Sequence, residues 1–244
     1  MSQLEVREVY CGYRKEEIIH GIDLCVERGE IVGILGPNGC GKTTLLKAVL
    51  GYISVRKGTI SFEGHVINGL GPTGRNALGL GYVPQLLNVF KPLTVLENLE
   101  MGGLRLSRND LLQSIDRVFE LFPILKLRRT QRAGTLSGGE RQLLAMARAI
   151  MTSPKLLCLD EPSAGLAPGR VDDVFEEIRR IAELGTSLLI VEQNVAKALE
   201  ISSRAYILVM GRVAFEGQAS AILQDPRLGT AYLGARGQVA SLRG

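Results

Sequence analysis

A chain of 244 residues suits one large α/β domain carrying an insertion, and its 45% hydrophobic and 22% charged content excludes a disordered polypeptide. A net charge of +4, with six Phe, six Tyr and no Trp, supplies neither the basic tract nor the stacking platforms of nucleic-acid binders. The basic clusters Lys126–Arg129 and Arg179–Arg180 read as solvated faces. Cys11, Cys25, Cys40 and Cys158 show no C-x-x-C pairing or zinc-like spacing, which fits a reduced, intracellular compartment. Met1 opens a polar stretch without the apolar core of a secretion signal. No apolar run approaches the ~20 residues needed to cross a bilayer.

In chain order, Leu4–Val9 and Ile22–Val26 alternate as short antiparallel strands, and the apolar run Ile31–Leu35 predicts a buried strand. Lys42–Leu50 predicts a helix stopped by Gly51. Thr59–Phe62 and Gly79–Val83 follow as strands, the second leading into Pro84-Gln85. Helical period then dominates from about 90 to 153. Thr94 and Glu97 have capping-box spacing, and Leu111, Leu112, Ile115, Val118, Phe119 and Phe122 form a stripe. Leu156–Leu159 predicts another buried strand, and Val171, Val174, Phe175, Ile178, Ile181 and Ala182 an amphipathic helix. Ser187–Val191 predicts the next strand, and Ala205–Met210 with Arg212–Phe215 a closing hairpin through Gly211. Alternating strands and helices predict a largely parallel, doubly wound sheet. The expected organisation is a core of residues 1–89 and 154–244 interrupted by a helical subdomain over about 90–153.

Gly36-Pro37-Asn38-Gly39-Cys40-Gly41-Lys42-Thr43-Thr44 satisfies G-x-x-x-x-G-K-[ST] between a predicted strand and a predicted helix. Glycines let successive backbone N–H groups turn inward on phosphate oxygens, and the helix adds its positive end. Lys42 is suited to neutralise β/γ-phosphates, and the Thr43 hydroxyl to ligate Mg²⁺. The Cys40 side chain is expected to border this cradle. The strand Leu156–Leu159 ends in Asp160 and Glu161, and strand carboxyl ends line the ligand crevice of a parallel sheet. Asp160 then organises Mg²⁺, while Glu161 orients or deprotonates an attacking water. A bland alternative makes the pair an acidic helix start. In Leu136-Ser137-Gly138-Gly139-Glu140-Arg141-Gln142, Ser137 and Glu140 again have capping-box spacing, opening a helix whose first N–H groups suit an anion.

These three blocks together resemble the nucleotide-binding subunit of ABC transporters: the P-loop is Gly36–Thr44, the signature Leu136–Gln142 and the Walker B strand Leu156–Glu161. The resemblance implies an α/β P-loop NTPase core with a parallel-rich sheet, an N-terminal antiparallel β subdomain and an inserted α-helical subdomain. It places Gln85 at the Q-loop glutamine, contacting Mg²⁺, and Tyr13 at the aromatic that stacks on adenine. It also implies that Ser137, Gly138 and Gly139 face the γ-phosphate held by the opposing subunit. Two departures stand out. Gln193 occupies the place of the switch histidine and cannot carry a proton as imidazole does. The loop Ala164-Gly165-Leu166-Ala167 lacks the usual aspartate.

The strings Glu161–Pro168, Val191–Asn194, Glu97–Gly103 and Tyr232-Leu233-Gly234 are similar to the LivF-type subunits that serve branched-chain amino acid, urea or amide uptake. That resemblance implies a peripheral ATPase on the cytoplasmic face of the membrane. Its implied partners are a second ATPase subunit, either a different one in a heterodimer or a second copy in a homodimer, with two permeases and, indirectly, a solute-binding protein. Leu86, Leu87, Val89 and Phe90 fit either a permease contact or subdomain core. Two other readings compete: a mechanical ABC ATPase acting on nucleic acid or a protein complex, and a P-loop kinase. The first ordinarily brings coiled-coil arms or basic tracts, and the second leaves Leu136–Gln142 unexplained.

Overall fold

Residues 2–86 and 88–225 are described by the computed structural model. Strands β1 (Leu4–Cys11) and β2 (Ile19–Val26) pair antiparallel, with Leu4 opposite Val26 and Cys11 opposite Ile19. Strand β3 (Ile31–Leu35) is buried throughout and leads through residues 36–41 into α1 (Lys42–Val49). β4 (Val55–Phe62) returns beside β1 and carries the two-residue β5 (His65–Val66), giving a sheet of order β2-β1-β4-β5. β4 begins four residues before the expected strand. Arg56–Thr59 are exposed, but β1 offers them a ladder, with Tyr10 opposite Lys57 and Cys11 opposite Val55. Backbone pairing across sheets is invisible to hydrophobic period.

A short helix α2 (Pro72–Ala77) precedes β6 (Leu80–Val83). Four helices then follow: α3 (Val95–Gly102), α4 (Arg108–Leu121), α5 (Pro123–Leu127) and α6 (Gly138–Ile150). Thr94 caps α3 in the expected box with Glu97, while Asn98, fully buried, bonds Phe90 N–H and the Phe90 and Thr94 carbonyls. On α4, Leu112 departs from the expected stripe: it is 55% exposed, and Ser114 takes a buried position with its hydroxyl donating to Met151 O. Strands and helices alternate again through β7 (Leu156–Asp160), α7 (Pro168–Glu183), β8 (Ser187–Glu192), α8 (Val195–Ile201), β9 (Arg204–Val209), β10 (Arg212–Gln218) and α9 (Ala219–Gln224).

The large sheet has order β10-β9-β3-β8-β7-β6, parallel except where β10 folds back antiparallel on β9. Its side chains divide by the two-residue period of strands. Val32, Ile34, Leu156, Cys158, Leu189 and Val191 enter a core shared with α1 and the antiparallel sheet. Ile31, Leu35, Leu157, Leu159, Leu188 and Ile190 enter a second core shared with the helices. Each fully buried aliphatic side chain contributes about 1.5–3 kcal/mol. Loops leaving the carboxyl ends of β3, β7 and β8 therefore start from fixed points. Leu87 and Tyr232-Leu233-Gly234 lie outside the described residues.

Candidate nucleotide site

The loop after β3 is buttressed from below. Gly36 leaves no room for a Cβ, which would collide with Cys40 Sγ and the Leu208 carbonyl. Gly211 N–H donates to Cys40 O at 2.9 Å, and His20 N–H donates to Gly211 O at 2.9 Å. The β9–β10 turn and the start of β2 thus hold the loop, while Pro37, Asn38 and Gly39 remain exposed at its crest. Gly41 opens α1 with φ +106°, a left-handed conformation that favours glycine. No side chain caps α1, and its first intrahelical bond from the loop is Leu45 N–H to Gly41 O. The N–H groups of Lys42, Thr43 and Thr44 therefore lie at the free positive end of the helix. Thr44 is buried, so its backbone is what it offers to an anion.

Cys40 corrects an expectation. Its side chain is buried in the core beneath the loop instead of bordering the cradle, and burial raises its thiol pKa. A small apolar-leaning side chain fits the space under Gly36, so alkylation there requires the loop to open.

Lys42 is 4% exposed, and its Nζ donates to Gly36 O at 2.7 Å and Pro37 O at 3.1 Å. The same ammonium lies 3.5 Å from Glu161 Oε1. Asp160, at the end of β7, accepts from Thr43 Oγ1 at 2.9 Å and from the Tyr82 hydroxyl at 3.2 Å. Burial raises the Asp160 pKa, and these two hydrogen bonds oppose the shift. Glu161 stands one residue on with φ +46°, a left-handed backbone that costs on the order of 1–3 kcal/mol in a non-glycine residue. Its N–H donates to Val191 O at 2.8 Å, and its carboxylate reaches the Lys42 ammonium of the loop. Gln85, exposed beyond β6, donates from Nε2 to Glu161 Oε2 at 2.9 Å.

Of the three expected metal contacts, the structure brings Thr43 and Asp160 together and pairs Gln85 with Glu161 instead. An exposed amide N–H settles on the nearest unshared carboxylate oxygen. The Thr43 hydroxyl and Asp160 carboxylate are hard oxygen donors converging from helix and strand, a set that suits Mg²⁺ completed by phosphate and water.

Gln193 is exposed and walls a cleft of about 260 Å³ with Glu161, Ser163, Ala164, Glu192 and Asn194. Glu192 is the member of this group that sequence reasoning missed. It pairs in register with Leu35, beside the root of the phosphate loop, and is 1% exposed. Its Oε1 accepts from Ser163 N–H at 2.9 Å, and its Oε2 from the N–H groups of Gln193 at 3.0 Å and Asn194 at 3.2 Å. Burial raises its pKa against the pull of these donors. The signal was present: an acidic residue directly continuing the apolar run Leu188–Val191 has little choice but to be buried.

Ala167 sits at the N-cap of α7 with no side-chain acceptor, so the missing aspartate leaves that helix start uncapped. Ser137 and Gly138 are exposed, and the capping box forms as expected, with Ser137 N–H donating to Glu140 Oε2 at 2.9 Å. The signature helix also reaches the Gln85 loop, since Asn88 Nδ2 donates to Gln142 Oε1 at 2.7 Å. Tyr13 is 44% exposed on the loop that leads to Ile18 and Ile19, which pack against Gly41 and Gly211.

The ABC transporter family matches residues 19–164. The high-affinity branched-chain amino acid transport ATP-binding protein BraG of Pseudomonas aeruginosa is 44% identical over 231 residues, covering 95% of this chain and 99% of its own. The probable branched-chain amino acid transport ATP-binding protein LivF of Archaeoglobus fulgidus is 41% identical, covering 92% and 95%. The lipopolysaccharide export ATP-binding protein LptB of Escherichia coli K12 is 37% identical, covering 96% and 98%. An ABC transporter ATP-binding cassette solved in its ADP conformation superposes with a TM-score of 0.85 at 28% identity, over 96% of this chain and 99% of that one. The chain belongs to the ABC transporter family as an ATP-binding subunit of the LivF type, and it is an ATPase.

Proposed function

We propose that this chain is the ATP-hydrolysing subunit of an importer for branched-chain amino acids or related small solutes, working as half of an ATP-closed pair. The observation that carries the chemistry is the convergence of Lys42, Thr43, Asp160, Glu161 and Gln85 on the loop after β3. In this reading, the N–H groups of Gly39 to Thr44 hold the β- and γ-phosphates. Lys42 exchanges its loop carbonyls for phosphate oxygens. Thr43 and Asp160 hold Mg²⁺, which when bound neutralises charge on those oxygens. Glu161 accepts a proton from the attacking water as the bond from Pγ to the bridging β-oxygen breaks. Gln85 fixes the other oxygen of that carboxylate. Gln193 donates across the cleft to the γ-phosphate, and because its amide takes no proton, the base role falls on Glu161.

Ser137, Gly138 and Gly139 present the exposed end of α6 to the γ-phosphate of an opposing, different ATPase subunit. Tyr13 stacks on the adenine. The pair docks on two permeases that a solute-binding protein supplies. A groove of about 580 Å³ beside the Gln85 loop, lined by Lys47, Tyr52, Leu86, Arg105 and Arg148 among others, is the surface for a permease segment. Leu86, 74% exposed, belongs to that surface, whereas Val89 is buried in the helical core. No helix among the described residues is long and apolar enough to cross a membrane, which fits peripheral attachment at the cytoplasmic face through the permeases. Uptake is favoured by the kinship to BraG and LivF, while the LptB likeness keeps export as the competing direction.

Reconstitution of the chain with its partner ATPase, its permeases and the solute-binding protein in liposomes tests this. ATP-dependent accumulation of labelled leucine, or of urea or a short amide, is expected. An assembled complex that hydrolyses ATP and moves none of these overturns the importer assignment.

A further inference from the structure

Tyr82 lies opposite Cys158 in the β6–β7 ladder, on the sheet face that also carries Asp160 two residues further on. A long side chain leaning along the strand spans that step, and its hydroxyl donates to Asp160 Oδ2 at 3.2 Å. The other oxygen, Oδ1, accepts from Thr43. The two oxygens of Asp160 are thereby divided between the phosphate-loop helix and β6. The Tyr82 ring has a second face. It lines the 580 Å³ groove and packs at 5.9 Å and 51° against the ring of Tyr52, which is 58% exposed. Lys47, on α1 and also lining the groove, directs positive charge toward Asp160.

An ordinary packing tyrosine would account for the buried ring edge. It does not account for a hydroxyl spent on the Asp160 carboxylate while the ring forms the floor of an open groove. A hydrogen bond to an ionised acceptor is about twice as strong as a neutral one.

We propose that Tyr82 is a positioning residue that links the groove to the nucleotide site: its hydroxyl orients Asp160, and a segment seated in the groove against Tyr52 and Tyr82 holds that hydroxyl in place. The second half rests on the reading of the groove as the permease surface. The route is separate from the Gln85–Glu161 contact, because it ends on the other carboxylate.

The test is Tyr82→Phe in the full-length chain, which keeps the ring and removes only the hydroxyl. In the isolated chain, Mn²⁺ binding in the presence of ATP is measured by electron paramagnetic resonance, and ATP affinity without metal by calorimetry. Mn²⁺ affinity is expected to fall about 3–10-fold, the equivalent of roughly one hydrogen bond, with metal-free ATP affinity unchanged. In the assembled transporter, Tyr82→Phe is expected to co-purify with permeases normally while the stimulation of its ATPase by them drops at least threefold. Wild-type Mn²⁺ affinity, or full stimulation, overturns the proposal. If the wild-type chain itself fails to bind permeases, the groove assignment falls, and the Mn²⁺ measurement still decides whether Tyr82 orients Asp160.

Discussion

Three backbone N–H groups from two different loops meet on the single carboxylate of Glu192. One loop follows Glu161 and the other carries Gln193, so this buried side chain links the two loops that wall the cleft between Glu161 and Gln193. Glutamine is its isostere, yet one amide end must present N–H₂ to a backbone donor. Glu192→Gln should therefore destabilise the protein by about 1–2 kcal/mol at neutral pH, the cost of one orphaned buried donor less some relief from burying charge. Urea unfolding checks this, and turnover should fall with ATP binding retained. The pH dependence has a definite sign. Because burial raises the Glu192 pKa, the folded state holds the proton more tightly than the unfolded chain. The contribution of this group to stability is full below the ordinary carboxylate range and is lost as pH rises through the raised value. Glu192→Gln should flatten that slope.

At the scale of elements, α1 is fixed at both ends. The phosphate loop opens it, and the guanidinium of Arg75 on α2 closes it by donating to Ala48 O and Val49 O, both at 2.6 Å, and to Leu70 O at 2.8 Å. Arg75 is 1% exposed, and burial lowers its pKa to about 10, which leaves it charged at neutral pH. Its partners here are carbonyls at a helix C-terminus, where a cation is favoured by the dipole. Arg75→Met should cost at least about 2 kcal/mol, because Val49 O and Leu70 O lose this donor while Ala48 O keeps only the Gly51 N–H at 3.2 Å; unchanged urea unfolding would show that they find other partners. Sequence signals located β3, β7, β8 and α1 because each is a compact apolar run or a strongly patterned helix between turn residues. They missed α2, α8 and α9, which span only 6, 7 and 6 residues and owe their helicity to what they pack on. The same limit applies to single residues. Lys42, Thr43, Asp160 and Glu161 were legible because their spacing is local, whereas Arg75, Tyr82 and Glu192 act through partners 26, 78 and 29 positions away.

At the scale of the molecule, the parallel sheet gathers the carboxyl ends of β3, β6, β7 and β8 along one edge, and loops from all four reach the nucleotide site. The signature end of α6 is exposed and is tied to the same edge through Gln142 and Asn88. A second subunit bound there would sense the Gln85 loop and the groove together, which is how ATP closure and permease contact become one event in the proposed cycle. All of this rests on Glu161 acting as the base at a site built by Lys42, Thr43 and Asp160. The most direct measurement is the ATP turnover of Glu161→Gln in the assembled transporter, compared with wild type at equal ATP occupancy. Turnover slowed 10²–10⁴-fold is predicted, a range typical of a lost general base; turnover at the wild-type rate would contradict the account.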